Sequence, residues 1–342
     1  VRAIVQQKYG PYRDVLHLRE VPQPVPGPRQ VLVRVRATSV HADVWHAVTG
    51  IPYVLRLMGS GLKAPKQPIP GTDLAGEVVQ AGADATRFSA GDRVFGEVTS
   101  RNQWGNAGTF AEFAAVDQDL LAPIPADLSH EQAAAVPTAA LIALANLRDQ
   151  GHLRTGQHVL INGAGGAVGV WAIQLAKTLG AQVTAVDAPV KLDLLRDLGA
   201  DHVIDYTQQD FTQQDFTRTG ARYDLVFDIV SQAPFSQVRH ALEPDGTFVL
   251  VGHDQYGRSG HRVLGSLGRM LPLLAISPFV QQLPGIRPGP PRQDNWATIV
   301  ELLTQGRLRP VVDQRAFPLE QATDAIDYLT TGAATGRVVL TV

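Results

Sequence analysis

The 342-residue sequence predicts an α/β protein of two domains: a largely antiparallel β domain and a doubly wound domain whose parallel sheet carries helices on both faces. Three observations predict this. Short apolar runs punctuated by Gly and Pro fill residues 1–122, strand and helix periods alternate from about residue 125, and a glycine-rich turn joins the first strand of that alternation to its helix.

The first stretch contains "RAIVQ", "QVLVRVRA", "LAGEVVQAG", "DRVFGEV" and "FAEFAAV", separated by turns such as "PVPGPRQ", "SAGD" and "NAGT". Strands of this length with such short connections favour antiparallel pairing. Next comes "HVLIN", a helix-period run "VGVWAIQLAKTLG" with Val168, Ala172, Leu175 and Leu179 on one face, and a new strand "QVTAVD". The alternation repeats through "KLDLLRDLG", "HVID", "YDLVFDI", "FSQVRHALE" and "GTFVLVG", which predicts a parallel sheet. The tail from about residue 290 predicts a helix "WATIVELLTQG", strand-like "RPVVDQRAF" and "RVVLTV", and a helix "EQATDAIDYLTTG" between them, returning to the first domain. The expected domains are therefore 1–124 with 290–342, and 125–289. "QQDFTQQDFT" at 208–217 is a tandem duplication expected as a surface insertion between a strand and a helix.

Thirty basic and 32 acidic side chains give a net charge of −2, so no broad field gathers nucleic acid, and small-molecule partners are expected. No apolar run reaches the length of a membrane span and the first residues lack a signal-peptide core, so a cytoplasmic location without stable membrane insertion is expected. The apolar segment "VLGSLGRMLPLLAISPFVQQLPG" is broken by Gly and Pro. It reads as a flap over a substrate pocket, an oligomer contact, or a membrane-surface patch, the last disfavoured by its few basic residues.

"NGAGGAVG" at 162–169 follows a strand and opens a helix, the context in which a glycine pattern binds phosphate. Gly163 suits a tight turn, Gly166 close approach of a pyrophosphate, and Gly169 close packing of helix on sheet, with the Ala167, Val168 and Gly169 N–H groups facing the anion. Asp187, eighteen residues further on, is placed to accept from an adenine-ribose diol. It would oppose a 2′-phosphate about 4 Å away by about 4 kcal/mol per unit charge at an effective dielectric near 20. Lys191 offsets this, or is a solvated lysine in the first turn of a helix.

"SVHADVWH" at 39–46 brings two histidines and an aspartate together and raises the question of a metal. With zero cysteines, thiolate ligands are excluded. His41 and His46, five apart, would point about 140° from each other on a helix, whereas chelation favours i, i+4. No metal is expected.

"PGTDLAGEVVQAG", "SAGDRVFG", "EQAAAVPTAALIAL", "HVLINGAGGAVGVWAIQLAK", "LGADHVIDY" and "GRVVLTV", in that order, resemble the medium-chain dehydrogenase/reductase superfamily, specifically its zinc-independent quinone oxidoreductase branch. The resemblance covers nearly the whole chain. It implies a GroES-like β domain built from both ends of the chain, a Rossmann nucleotide-binding domain in the middle, and a nicotinamide in the cleft between them. It places His41, Thr72-Asp73 and Thr138 where zinc-dependent relatives carry ligands, so an improvised site would have to use His41, Asp43 and Asp73. Asp43 and His46 match the ends of a proton relay in alcohol dehydrogenases; alternatively, Asp43 caps a short helix and His46 lies half-exposed. Many quinone-reductase relatives carry Asn at the position of His41, so the usual contact to the substrate carbonyl is altered here.

The resemblance further implies 2′-phosphate contacts from Lys191 and Tyr206, pyrophosphate contact from Arg337, nicotinamide contact from Thr138, and a cofactor contact at Gly252. NAD(P)H is the expected cofactor, with NADPH slightly favoured. Tyr53, Trp104 and residues 260–283 are candidate pocket walls. Without a Lewis acid, the expected reaction is hydride transfer to a quinone or α,β-unsaturated carbonyl. The alternatives are an alcohol or carbonyl dehydrogenase, or a nucleotide-binding protein without turnover. A homodimer is expected, pairing through a last sheet strand, "FVQQL".

Overall fold

The computed structural model describes residues 1–98, 105–208, 222–230, 233–252, 256–257, 261–285 and 292–342. The first domain contains strands β1 (Arg2–Gln6), β2 (Leu16–Glu20), β3 (Gln30–Val40), β4 (Asp73–Ala81), β5 (Arg93–Glu97), β6 (Phe113–Asp117) and β7 (Leu121–Pro123). The second contains β8 (His158–Asn162), β9 (Gln182–Asp187), β10 (His202–Asp205), β11 (Tyr223–Asp228) and β12 (Leu242–Leu250). The chain then returns through β13 (Phe317–Pro318) and β14 (Val338–Thr341). The duplication at 208–217 lies outside the described residues apart from Gln208.

β14 pairs antiparallel with the C-terminal part of β3, Val338 opposite Val40 and Thr341 opposite Ala37. β3 also pairs antiparallel with β4 and β6, so its long, almost fully buried run is the axis of the first domain's sheet, ordered β13-β14-β3-β4-β5-β7. The second sheet is ordered β10-β9-β8-β11-β12 and every pair in it is parallel. Strand order reverses between β8 and β11, which opens a crevice at their C-terminal ends. Period-2 alternation then sorts the side chains: Val159, Ile161, Leu225 and Phe227 enter one core, while Leu160, Val226 and Phe248 enter another on the opposite face.

The helix Ala167–Thr178 buries Val170, Trp171, Ala172, Ile173, Leu175 and Ala176, so it is covered on more than the single face its periodicity predicts. Trp171, fully buried, contributes about 3 kcal/mol by area removed from water. The helix Arg292–Thr304 packs at the junction of the domains, Trp296 meeting Phe95 edge-to-face at 5.2 Å.

Two strand expectations are corrected. "RPVVDQRAF" contributes β13 and a single bridge from Val312 to Arg337. "FVQQL" forms no strand: Pro278 and Pro284 flank it and remove ladder donors, and it turns Leu283 into the core beside Phe248 while Gln282 O accepts the Phe248 N–H at 2.8 Å. The strand expected to pair two copies is therefore missing. Among the described residues, no helix is long and apolar enough to cross a membrane.

Candidate active site

The glycine loop leaves β8 at the strand-order reversal. Gly163 has φ +85°, and an added Cβ there would lie 2.7 Å from Val230 at the end of β11. Its N–H and that of Ala164 donate to Val186 O at 3.0 and 3.1 Å, tying the turn to β9. At Gly169 a Cβ would fall 2.4 Å from Gly163 O, so this position needs glycine for packing. Gly166 differs: its Cβ would meet nothing closer than Gly163 O at 3.5 Å, so that side of the loop is open to a ligand. Gly166 is the N-cap of Ala167–Thr178, whose first N–H groups, at Ala167, Val168 and Gly169, have no intrahelical acceptor. An open glycine at a helix N-terminus fits a dinucleotide pyrophosphate.

Asp187, at the end of β9, accepts the Gly165 N–H at 2.7 Å and the Ala188 N–H at 2.8 Å. Lys191 Nζ lies 3.7 Å from Asp187 and donates to Gly332 O at 3.2 Å. Lys191 is only 6 % exposed, which corrects its alternative as a solvated lysine. Gly336 N–H donates to Gly165 O at 3.1 Å, so residues 332–336 of the returning chain lie against the glycine loop. Tyr206 is half-exposed in the turn after β10, its N–H 3.4 Å from Asp187 O. Gly252 follows β12 with φ +74°, a conformation that favours glycine.

Asp73, at the start of β4, is fully buried. Its carboxylate accepts from Arg337 at 2.6 Å, from the Ser39 hydroxyl at 2.8 Å and from the Thr138 hydroxyl at 2.5 Å. Arg337 and Thr138, expected against pyrophosphate and nicotinamide, are thus both directed to this carboxylate.

His41 is the N-cap residue of the helix Ala42–Thr49, and Asp43 stands in its first turn, which corrects the alternative that Asp43 is the cap. His41 is buried, with Nε2 2.7 Å from the Thr72 hydroxyl and Nδ1 3.4 Å from Asp43 Oδ2. Burial acts to raise the Asp43 carboxyl. The hydrogen bond from His41 and the charges of His41, His46 and Arg337 outweigh it and hold the group below the usual carboxylate range. His46 Nδ1 lies 2.6 Å from Ile51 O, and its ring meets Trp45 edge-to-face. The Asp43 contact thus runs to His41, while His46 acts on it through space.

Tyr53 is 41 % exposed and stacks on the Arg56 guanidinium at 4.8 Å. Its backbone N–H and that of Val54 donate to Arg262 O and Val263 O, which brings the apolar segment onto the first domain. Trp104 lies outside the described residues.

These donors do not fit zinc. The carboxylate at the ligand position, Asp73, already holds a guanidinium that would repel a dication, and Thr138 offers a neutral hydroxyl bonded to that same carboxylate. Among the described residues no three His, Asp or Glu side chains are gathered for a metal. The improvised set of His41, Asp43 and Asp73 is therefore corrected: His41 is turned to Thr72 and Asp43, and Asp73 to Arg337.

The sequence did not single out Ser39, Gly165, Gly332 or Gly336. Gly165 stood within the glycine run, and its role follows from space: a Cβ there would strike Lys191 Cδ at 2.6 Å. Gly332 and Gly336 act through backbone atoms, which carry no side-chain signal.

Residues 27–126 match the alcohol dehydrogenase GroES-like domain and residues 198–340 the zinc-binding dehydrogenase domain. The chain is 30% identical over 350 residues to a chloroplast envelope quinone oxidoreductase homolog of Arabidopsis thaliana, covering 99% of this chain and 98% of the relative. It is 32% identical over 355 residues to the NADPH-dependent alkenal/one oxidoreductase of the same plant, covering 99% and 79%. The quinone oxidoreductase of Coxiella burnetii superposes with a TM-score of 0.80 at 26% identity, covering 100% of this chain and 99% of the other. With its glycine loop, its discontinuous first domain and full-length similarity of this kind, the chain belongs to the quinone oxidoreductases of the medium-chain dehydrogenase/reductase superfamily.

Proposed function

We propose that this protein is an NAD(P)H-dependent oxidoreductase that reduces a quinone or an α,β-unsaturated carbonyl without a metal. The observation that carries this reading is the setting of His41, held at one ring nitrogen by the Thr72 hydroxyl and at the other by the Asp43 carboxylate. Beside it, the acid at the ligand position is neutralised by Arg337. Such a cleft offers a proton donor and hydrogen bonds but no Lewis acid, which suits an acceptor that is already electrophilic.

When bound, NAD(P)H supplies the hydride. The chain's part begins with the first-turn N–H groups of Ala167–Thr178, which hold the pyrophosphate charge at the helix N-terminus. Asp187, and Lys191 3.7 Å from it, would hold the adenine ribose end of a bound cofactor, the acid suiting its hydroxyls and the ammonium a 2′-phosphate. As hydride reaches the β carbon, the electron pair moves to the conjugated oxygen and one proton must follow. His41 donates it through the Thr72 hydroxyl, with the Asp43 carboxylate at its other ring nitrogen. The sum is one hydride and one proton added to the acceptor.

The decisive test incubates the purified chain with NADPH deuterated at the transferred position and a panel of quinones and enones. Deuterium is expected on the enone β carbon and solvent hydrogen on the α carbon, with turnover unaffected by chelators. Label on a carbinol carbon, together with chelator-sensitive turnover, assigns the protein to alcohol chemistry instead.

The finer cofactor choice follows from the same cluster. Use of both cofactors with a modest lean to NADPH is inferred, because Lys191 and Tyr206 flank Asp187. Comparison of kcat/KM measures it, and a roughly hundredfold preference for NADH, about 2.7 kcal/mol, overturns it. The homodimer and the cytoplasmic location rest on resemblance and composition, and gel filtration with light scattering tests the first.

A further inference from the structure

We infer that one face of the protein docks on an anionic lipid surface. The face joins two segments. Residues 44–72 and 255–293 contain no Asp or Glu, although the chain has 32 acidic against 30 basic residues. The fold brings their described parts into contact, since the Tyr53 and Val54 N–H groups donate to Arg262 O at 2.8 Å and Val263 O at 3.0 Å. A Cβ at Gly265 would lie 2.7 Å from Pro52, which shows how closely the two segments approach.

Their outer surface is apolar. The helix Leu267–Ile276 buries none of its residues fully. Leu273 leans on the core beside Phe248, leaving Leu271, Leu274 and Ile276 outward, and Phe279 just beyond is 88 % exposed. From the neighbouring segment come Leu57, 74 % exposed, and Leu62, 66 % exposed. Monomers seldom leave so many large apolar side chains outward in one region without a partner.

Charge selects the partner. Lys63, Lys66 and Arg262 are exposed and neither segment contains an acid; Asp245, which reaches the second segment from β12, is held by Gln281 at 3.1 Å. Basic side chains around outward leucines and a phenylalanine complement anionic headgroups over an acyl boundary. A second copy fits poorly, because a two-fold contact would set this cationic region against itself. The sequence alone weighed against a lipid surface, since the segment at 263–285 contains only one basic residue, Arg269. Folding brings Tyr53 and Val54, which precede Arg56, Lys63 and Lys66, against residues 262–263. The helix is far too short to span a bilayer, so the contact is peripheral.

The test is vesicle sedimentation of the full purified chain with phosphatidylcholine alone or mixed with phosphatidylglycerol. Binding to the mixed vesicles, release by salt and no binding to phosphatidylcholine alone are expected. Lys63→Glu with Lys66→Glu is expected to weaken binding by about tenfold or more. Leu271→Asp with Phe279→Asp is expected to abolish it, while circular dichroism and Tm stay as in the wild type. Absent binding to either vesicle, or equal binding to both, overturns the inference. So does conversion of a dimer to a monomer by Phe279→Asp in sedimentation velocity without lipid, which assigns the face to a second copy. If the acidic variants do not fold, the Lys63→Glu, Lys66→Glu protein and the salt dependence of the wild type decide alone.

Discussion

Asp73 and Arg337, 264 residues apart in the chain, form a 2.6 Å ion pair in which the acid is fully buried and the guanidinium 2 % exposed. Removing one member leaves the other as an unpaired charge in a buried position. Arg337→Met is therefore expected to cost about 3–5 kcal/mol in urea unfolding. The double variant Arg337→Met, Asp73→Leu is expected to recover part of that loss, because no lone charge remains. A double variant as unstable as the sum of its singles shows that the pair is not coupled.

Three of the loop's four glycines serve different ends, and alanine separates them. Gly163→Ala meets Val230 at 2.7 Å from a left-handed backbone, and Gly169→Ala meets Gly163 O at 2.4 Å, so both are expected to lower Tm markedly. Gly166→Ala finds open space and is expected to keep Tm within a few degrees while weakening NADPH binding about tenfold or more. Calorimetric titration and thermal melts measure the two effects side by side.

Asp43 and His41 give a pH signature. His41→Gln is expected to lower kcat by about 100-fold, the scale of a lost general acid. Asp43 stabilises the fold, since its carboxyl sits below the usual carboxylate range. That contribution is complete above the ordinary value of 3.8 and is lost as the pH falls through the depressed one, so wild type and Asp43→Asn are expected to converge only in strong acid.

His158, at the start of β8, titrates in the opposite chemical sense. Burial first, and the charge of His202 second, push its pKa below the ordinary 6.5. On acidification through 6.5 the unfolded chain takes up a proton before the folded one, so stability falls until the depressed value is passed. His158→Gln is expected to flatten the slope of Tm between neutral pH and that value.

Most strands and the glycine loop were legible because their signals are local. Alternation over five to ten residues marked β1, β3, β4 and β9, and three spaced glycines marked the turn. The Asp73–Arg337 pair was not legible, since nothing local links residues from opposite ends of the chain. Lys191 read equally well as a surface lysine because the carbonyl that covers it, Gly332 O, arrives from 141 positions away. "FVQQL" looked like a strand by its apolar ends, but its flanking prolines and the pull of Leu283 towards Phe248 won locally. Resemblance placed His41 and Thr72 in one site, but only the fold pairs the imidazole with that hydroxyl.

The pairing of β14 with the C-terminal part of β3 sets an order of assembly on the ribosome. The nucleotide-binding sheet is complete once residue 250 has emerged, whereas β3, translated long before it, stays short of a neighbour until residue 341. During that interval an apolar strand in the nascent chain is one edge short. Slower translation through the last ninety residues is therefore expected to lengthen the time that edge stays unpaired.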